Sequence, residues 1–367
     1  MALRLSPSQL PIEDETKFFI LSTEESKYFA RNIARSLGCP LGKVERFKFD
    51  DGEQYYRIDI ADNRTIAGKD IIYVASTDTD AALLELYRVG SALASYGTRR
   101  RFFVIPFFGY STMERAVRPG EIVTAKVNAR MLSSIPNSGL GNIFLFCDLH
   151  VSGLLQYFEG ACQVHEVYGQ EPLIAAIGKE LGIEPLPPLG RGVPSVSTEE
   201  ENPNLVFGSA DLGRPLWVES FAKRFSAGMA FIRKKRNMSK TEVQGVPIGD
   251  VKGKKVVIYD DMTRSAGTLI KAAVAYIASG ATEVIAVLSH LALNGPEIVK
   301  KIEESPIKKV IATNSHPMSQ HPAVKASKKI TIVPVDSEFV NSIRSFLLFD
   351  EKPEHPSDDD DDEDDDE

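Results

Sequence analysis

Short runs of β-branched and aromatic residues alternate with helical patterns along most of the chain, and this rhythm is the sequence form of an α/β fold with a mostly parallel sheet. The first instance is Phe18-Phe19-Ile20-Leu21, a strand. Ser22 and Glu25 then have the spacing of a capping box, Phe29, Ile33 and Leu37 recur every four residues, and Gly38 stops the helix. A second unit comprises the strand Ile71 to Val74, a helix through Leu83, Leu84, Leu86 and Tyr87 to Gly97, and the strand Phe102 to Ile105. Ile143 to Cys147 is a further buried strand. The pattern is clearest between Lys255 and His290: the strand Val256 to Tyr259, a stripe of Leu269, Ala272, Ala273, Tyr276 and Ile277 ended by Gly280, and the strand Val284 to Leu288. One architecture is used twice, and no short fixed period points to a solenoid.

A length of 367 residues suits about two domains. The expected division is an extension over 1–16, a first domain over 17–163, a second over 164–350 and an acidic tail over 351–367. The segment Glu184 to Asn204 holds five prolines and the run Glu199-Glu200-Glu201 without apolar periodicity, so it is expected to be a long surface loop. All ten residues from Asp358 to Glu367 are acidic, and without them the net charge of −8 becomes +2. A nearly neutral body gives no electrostatic warrant for nucleic acid or an anionic membrane, and the tail is expected to be solvated. The three cysteines, Cys39, Cys147 and Cys162, form no Cys-x-x-Cys pair, which fits a reducing compartment. No apolar run approaches the ~18 residues of a membrane span. The first sixteen residues, with Glu13, Asp14 and Glu15, suit neither a secretory signal nor a transit peptide, so the chain is read as cytoplasmic.

The most informative segment is Val256 to Thr268, which reads VVIYDDMTRSAGT. A loop that leaves a strand's carboxyl end and enters a helix gathers free backbone N–H groups and the positive helix end around a small volume, which suits a phosphate. Asp260 and Asp261 supply acceptors for a vicinal diol or its bound cation, so the whole segment matches a sugar phosphate better than a bare anion. A plain strand-end acid pair followed by a threonine N-cap is the structural alternative. Other nucleotide loops do not fit: Gly38 to Lys43 lacks Walker A spacing, and Gly190-Arg191-Gly192 follows prolines rather than a strand.

These residues carry a resemblance. Asp260-Asp261 with Gly267-Thr268 resembles the phosphoribosyl-pyrophosphate loop of type I phosphoribosyltransferases. The ordered set Phe49-Asp50-Asp51-Gly52-Glu53, Asp148-Leu149-His150, Asp211-Leu212-Gly213 and Lys234-Lys235-Arg236 resembles the ribose-phosphate pyrophosphokinase family over about residues 17 to 348. The resemblance implies two tandem type I phosphoribosyltransferase-like domains and transfer of the diphosphoryl group of magnesium ATP to the C1 hydroxyl of ribose 5-phosphate, releasing AMP. It further implies that Phe49, Asp51, Gly52 and Glu53 form a hairpin that reaches the adenine of a neighbouring subunit, so a homo-oligomer with a shared ATP site is expected. His150, with Asp211, lies near magnesium and ATP in the family; a lone histidine, taken without the resemblance, is more often structural. Lys234 and Arg236 match the family's catalytic lysine and arginine; taken alone, the basic run Arg233 to Arg236 could be a solvated face or a nucleic-acid patch, although it stands where a strand would enter a mobile arm. Asp260, Asp261, Arg264, Ser265, Ala266, Gly267 and Thr268 match the loop that holds ribose 5-phosphate. Glu159 falls where some members carry an acid, and Arg99-Arg100-Arg101 has no counterpart and is expected to be a solvated turn.

Two departures qualify this. The commonest class of the family has Arg-Gln, contacting ATP, where this chain has Thr112-Met113. Thr112 to Arg115, with Glu121, Thr124-Ala125 and Ala129 to Leu132, resembles the plant-type second class instead. Arg264 stands where the commonest class has an acid and the second class a neutral residue. An active ribose-phosphate diphosphokinase is the expectation; a non-catalytic regulatory relative and a phosphoribosyltransferase acting on a nucleobase are the alternatives.

Overall fold

The computed structural model describes residues 18–137, 139–188, 201–210, 214–234 and 245–348. The first half contains β1 (Phe18–Ser22), α1 (Lys27–Leu37), β2 (Val44–Lys48), β3 (Gln54–Ile58), β4 (Asp70–Val74), α2 (Asp80–Ser95), β5 (Arg100–Ile105), α3 (Thr124–Ser133), β6 (Gly141–Cys147) and β7 (Gln163–Val167). The second half contains α4 (Gln170–Leu181), β8 (Asn202–Ser209), α5 (Pro215–Arg224), β9 (Ala227–Lys234), β10 (Gly245–Ile248), β11 (Lys255–Met262), α6 (Gly267–Ala278) and β12 (Glu283–His290). It ends with α7 (Glu297–Glu303), β13 (Lys309–Thr313), α8 (Pro322–Ala326), β14 (Ile330–Val333) and α9 (Asp336–Leu348).

The first sheet has the order β1-β4-β5-β6-β7 with every neighbour parallel, and β2 with β3 forms a separate antiparallel hairpin. The second has the order β10-β9-β8-β11-β12-β13-β14, parallel except between β9 and β10. This is the α/β architecture expected from the alternating runs. Strands such as Phe102 to Ile105 and Val256 to Tyr259 are apolar without interruption because both their faces are covered by helices. In the second sheet the chain moves outward from β8 to β9 and β10, then returns to lay β11 on the other side of β8. That reversal opens a crevice beyond the carboxyl ends of β8 and β11, where ligands of open α/β sheets bind.

Several local expectations are corrected. Ser22 does not cap a helix: it is the last residue of β1, opposite Val74, and α1 begins after Ser26, whose hydroxyl accepts from Ser76 N (2.8 Å) rather than from its own helix. The Asn202-Pro203-Asn204 end of the expected loop opens β8, while residues 189–200 lie outside the described residues. Gln163, expected to end the first domain, begins β7, the fifth strand of the first sheet. The chain returns to that sheet at its end, where α9 packs Phe339, Val340 and Ile343 onto Phe29, Ile33 and Val104. The rings of Phe29 and Phe339 meet edge-to-face with centroids 5.4 Å apart.

Arg99-Arg100-Arg101 is not a solvated turn. Arg100 and Arg101 belong to β5 and are buried. The Asp70 carboxylate, at the start of the neighbouring β4 and fully buried, accepts from Arg99 and Arg100 at 2.7 Å. Arg101 donates to Asn142 Oδ1 (2.7 Å), Thr98 Oγ1 (3.0 Å) and the Pro136 carbonyl (2.8 Å). Asp70→Ala is therefore expected to destabilise the fold by about 3 kcal/mol or more, since it deletes the buried acid that two arginines meet. Chemical denaturation of the variant beside the parent measures this, and a loss below about 1 kcal/mol contradicts it.

Candidate active site

β11 continues past Tyr259 through Met262, so Asp260 and Asp261 stand on the strand rather than in a bend, and Asp261 N donates to Asp260 Oδ1 at 3.0 Å. Asp261 is buried and Asp260 is half-buried. Asp261 Oδ2 receives His150 Nδ1 at 2.7 Å and Arg214 Nη2 at 3.1 Å. Arg214, immediately before α5, also donates to the carbonyls of Leu149 (3.3 Å) and His150. Burial alone would raise the Asp261 carboxyl; the His150 hydrogen bond and the Arg214 charge reverse this and hold it down to about 2. Residues 111 positions apart in sequence thus meet in one ion-paired cluster across the crevice.

The turn bearing His150 is built rigidly. Asp148 has φ +36°, an uncommon conformation for an aspartate, and is fully buried. Its carboxylate accepts from Gly169 N (3.1 Å) and Ser289 Oγ (2.6 Å), and its carbonyl lies 3.1 Å from His290 Nε2. Burial pushes the Asp148 carboxyl up to about 6. Ser289 and His290 end β12, so the second half clamps the turn that carries the first half's histidine.

The loop after β11 has no threonine cap. The residue before α6 is Ala266, buried, with φ +56° and no side-chain capping bond; Gly267 N donates to Ser265 Oγ at 3.3 Å. A left-handed residue just before a helix turns successive N–H groups into one concavity, as an anion nest does. Among the described residues four non-glycines have positive φ, and three of them, Tyr110, Asp148 and Ala266, lie around this crevice. Such strain gathers at functional sites.

Other expected site residues stand apart. Phe49, Asp51, Gly52 and Glu53 form the turn between β2 and β3, with Gly52 at φ +98° and Asp51 Oδ1 accepting from Glu53 N at 3.0 Å. Phe49 is 47% exposed and meets the rings of Phe47 and Tyr55; the hairpin shares a groove with Arg88 and Tyr96 of the α2 region. Glu159 makes a surface pair with Arg130 (2.9 Å). Lys234 ends β9 opposite Gly245. Asp211, Arg236 and the acidic tail lie outside the described residues. Sequence reasoning missed Arg214, Ser289 and His290. Arg214 directly follows the quoted Asp211-Leu212-Gly213, and a Ser-His pair closing an otherwise apolar buried strand is itself a signal at this edge of a sheet.

His290 and His316 each meet the Phe107 ring of the first half edge-to-face, with centroids 5.2 and 4.6 Å away. Burial lowers His290 to about 4 and His316 to about 3. Both values lie below the ~6.5 of an unfolded histidine, so the unfolded chain binds more protons below that pH. Their contribution is therefore present above about pH 6.5 and is lost as the pH falls toward 4. The denaturant midpoint should be lower at pH 5 than at pH 7.5, and His316→Gln should shrink that difference; an unchanged difference would refute the assignment.

Among the described residues no helix is long and apolar enough to cross a membrane. The sequence profile described as the N-terminal domain of ribose phosphate pyrophosphokinase matches residues 18–135, and that of the phosphoribosyl synthetase-associated domain matches 230–351. A ribose-phosphate pyrophosphokinase of Xylella fastidiosa (strain 9a5c) is 30% identical over 337 residues, covering 91% of this chain and 95% of the relative. Ribose-phosphate pyrophosphokinase 1, chloroplastic, of Oryza sativa subsp. japonica is 30% identical over 341 residues, covering 90% and 78%. The crystal structure of phosphoribosylpyrophosphate synthetase from Mycobacterium smegmatis superposes with a TM-score of 0.75 at 22% identity, covering 91% of this chain and 99% of that one.

Proposed function

From the premise that the chain belongs to the ribose-phosphate pyrophosphokinase family, we infer that it is a ribose-phosphate diphosphokinase. The C1 oxygen of ribose 5-phosphate attacks the β-phosphorus of ATP, the bond from that phosphorus to the oxygen bridging to the α-phosphorus breaks, and AMP departs. The observation that supports this reading most is the meeting of His150, Asp261 and Arg214 at the crevice of the second sheet. His150 lies in and Arg214 beside a motif of the family's ordered set, and Asp261 lies in the phosphoribosyl-pyrophosphate loop.

Within this reading, Asp260 and Asp261 accept from the ribose hydroxyls, and the concavity from Ser265 to Thr268 receives the 5-phosphate. Lys234 and Arg236 neutralise charge that builds on the transferring phosphates. A magnesium ion bound with ATP would supply positive charge to its phosphates. Such an ion is held by few protein atoms beside substrate phosphates, and His150 and Asp211 are the side chains proposed to meet it. The half-buried Asp260 carboxylate beside the His150–Asp261 pair fits a hard cation, being an oxygen donor at the rim. Phe49, Asp51, Gly52 and Glu53 serve the adenine of a neighbouring copy, which the exposed hairpin supports and which makes the enzyme a homo-oligomer. We place it in the cytoplasm, with neither nucleic acid nor membrane as partner.

Purified chain with magnesium ATP and ribose 5-phosphate should yield AMP and phosphoribosyl pyrophosphate in equal amounts. No product across a range of metal and phosphate concentrations refutes the reading and favours a regulatory relative. Arg264 on the sugar-phosphate loop is what motivates that second reading.

A further inference from the structure

Arg264 belongs to the loop that follows β11, yet its side chain leaves that loop. Its Nη2 donates to Thr112 Oγ1, 3.2 Å away in the first half, a contact spanning 152 positions of sequence. Its own carbonyl accepts from Asn294 N at 3.0 Å, which fixes the backbone from which the guanidinium projects. The guanidinium lies in a cavity of about 640 Å³, within the range of small-molecule sites. Tyr110, Thr112 and Met113 form its wall in the first half, and Arg264, Asn294 and His316 its wall in the second.

Among the described residues Arg264 is the cation of that cavity: no lysine or second arginine of theirs lines it, and burial keeps His316 neutral. The acid among the described residues of the wall is Asp78, whose carboxyl is raised by burial. A threonine hydroxyl occupies one of five guanidinium N–H groups, which leaves the forked edge for a bidentate anion. Positions 112 and 264 are therefore spatial neighbours. The commonest class that this chain resembles has an arginine at the first and an acid at the second; here Thr112 and Arg264 reverse that arrangement. The charge stays in one place while its point of attachment has crossed the crevice.

We propose that Arg264 binds the phosphate chain of the nucleoside triphosphate rather than the 5-phosphate of ribose, supplying from the second half the cation that position 112 of the first half lacks. The proposal rests on the diphosphokinase reading above and changes the residue's assignment within it. Because nucleotide held there touches both halves, Arg264 also links nucleotide binding to the closeness of the two sheets.

Arg264 is exposed, so its replacement leaves the fold intact. Arg264→Ala should raise the KM for ATP about tenfold, the loss expected for a charged hydrogen-bonding pair, and leave the KM for ribose 5-phosphate within about twofold. Thr112→Arg added to Arg264→Ala should bring the KM for ATP back to within about threefold of the parent. Calorimetric titration of the full chain with a non-hydrolysable ATP analogue, without ribose 5-phosphate, should show the same tenfold weakening and recovery. A rise in KM for ribose 5-phosphate with ATP unaffected overturns the proposal, as does a double variant that melts like the parent and does not recover. A parent chain that yields no product but binds the analogue through Arg264 defeats the diphosphokinase reading alone and supports this one.

Discussion

Lys234→Ala lowers kcat by roughly 10²-fold or more while the thermal midpoint stays near that of the parent. Ser209, the last residue of β8, stands opposite Phe231, so β9 runs three residues further and carries Lys234 beyond the carboxyl edge of β8. That edge bounds the crevice where β11 reverses the strand order. In the role proposed for Lys234, a cation delivered there meets the phosphates when negative charge is being redistributed, an interaction stronger in the transition state than in the ground state, so the loss should fall on kcat more than on KM. The lysine is the last residue of β9, so the change in folding free energy should stay within about 0.5 kcal/mol. Single-turnover measurements with saturating ATP and ribose 5-phosphate decide the matter, and an alanine variant with parental turnover removes Lys234 from the machinery.

Asp261→Asn has the largest expected effect, a fall in kcat/KM for ribose 5-phosphate of roughly 10³-fold. The substitution keeps the shape and removes the charge. It deletes the acceptor proposed for the sugar and, at the same stroke, the anion on which His150 (2.7 Å) and Arg214 (3.1 Å) converge. His150 then loses its orienting partner, and an almost buried guanidinium loses its counter-charge, which should also cost about 1–3 kcal/mol of stability. The two consequences separate by measurement: Arg214→Met should show the stability loss with a smaller kinetic one, because Arg214 positions and does not receive the sugar. A variant Asp261→Asn that retains parental kcat/KM overturns the role given to the strand-end acids.

The architecture was legible because burial on two faces writes itself into sequence as unbroken apolar runs, as in Phe102 to Ile105 and Ile143 to Cys147. The motif order along the chain was legible for the same local reason. What escaped depended on partners far away in sequence. Ser22 has the spacing of a capping residue, but pairing with β4 holds it in a strand. Arg100 and Arg101 read as solvent-facing until Asp70 and Asn142 are seen to lie on adjacent strands. The bend was expected after Tyr259, yet the ladder with β12 extends β11 as far as Met262 opposite His290, and so buries Asp261. Arg214 and the Ser289–His290 pair escaped because the acids that give them their place in the site, Asp261 for the first and Asp148 for the pair, lie far away in sequence. The assignment of Arg264 turns on such a partner too, Thr112 in the other half of the chain.

The docking of α9 on the first sheet has a bearing on how the protein is made. Val335, Phe339, Val340 and Ile343 close a hydrophobic cluster whose other members, Phe18, Ile20 and Phe29 among them, are some of the earliest residues described. Domains ordinarily fold in turn as they leave the ribosome. Here the first sheet waits, one flank bare, for a helix that emerges only after the whole second sheet has been translated, and a stop codon ahead of α9 would cripple the earlier half of the fold as surely as the later.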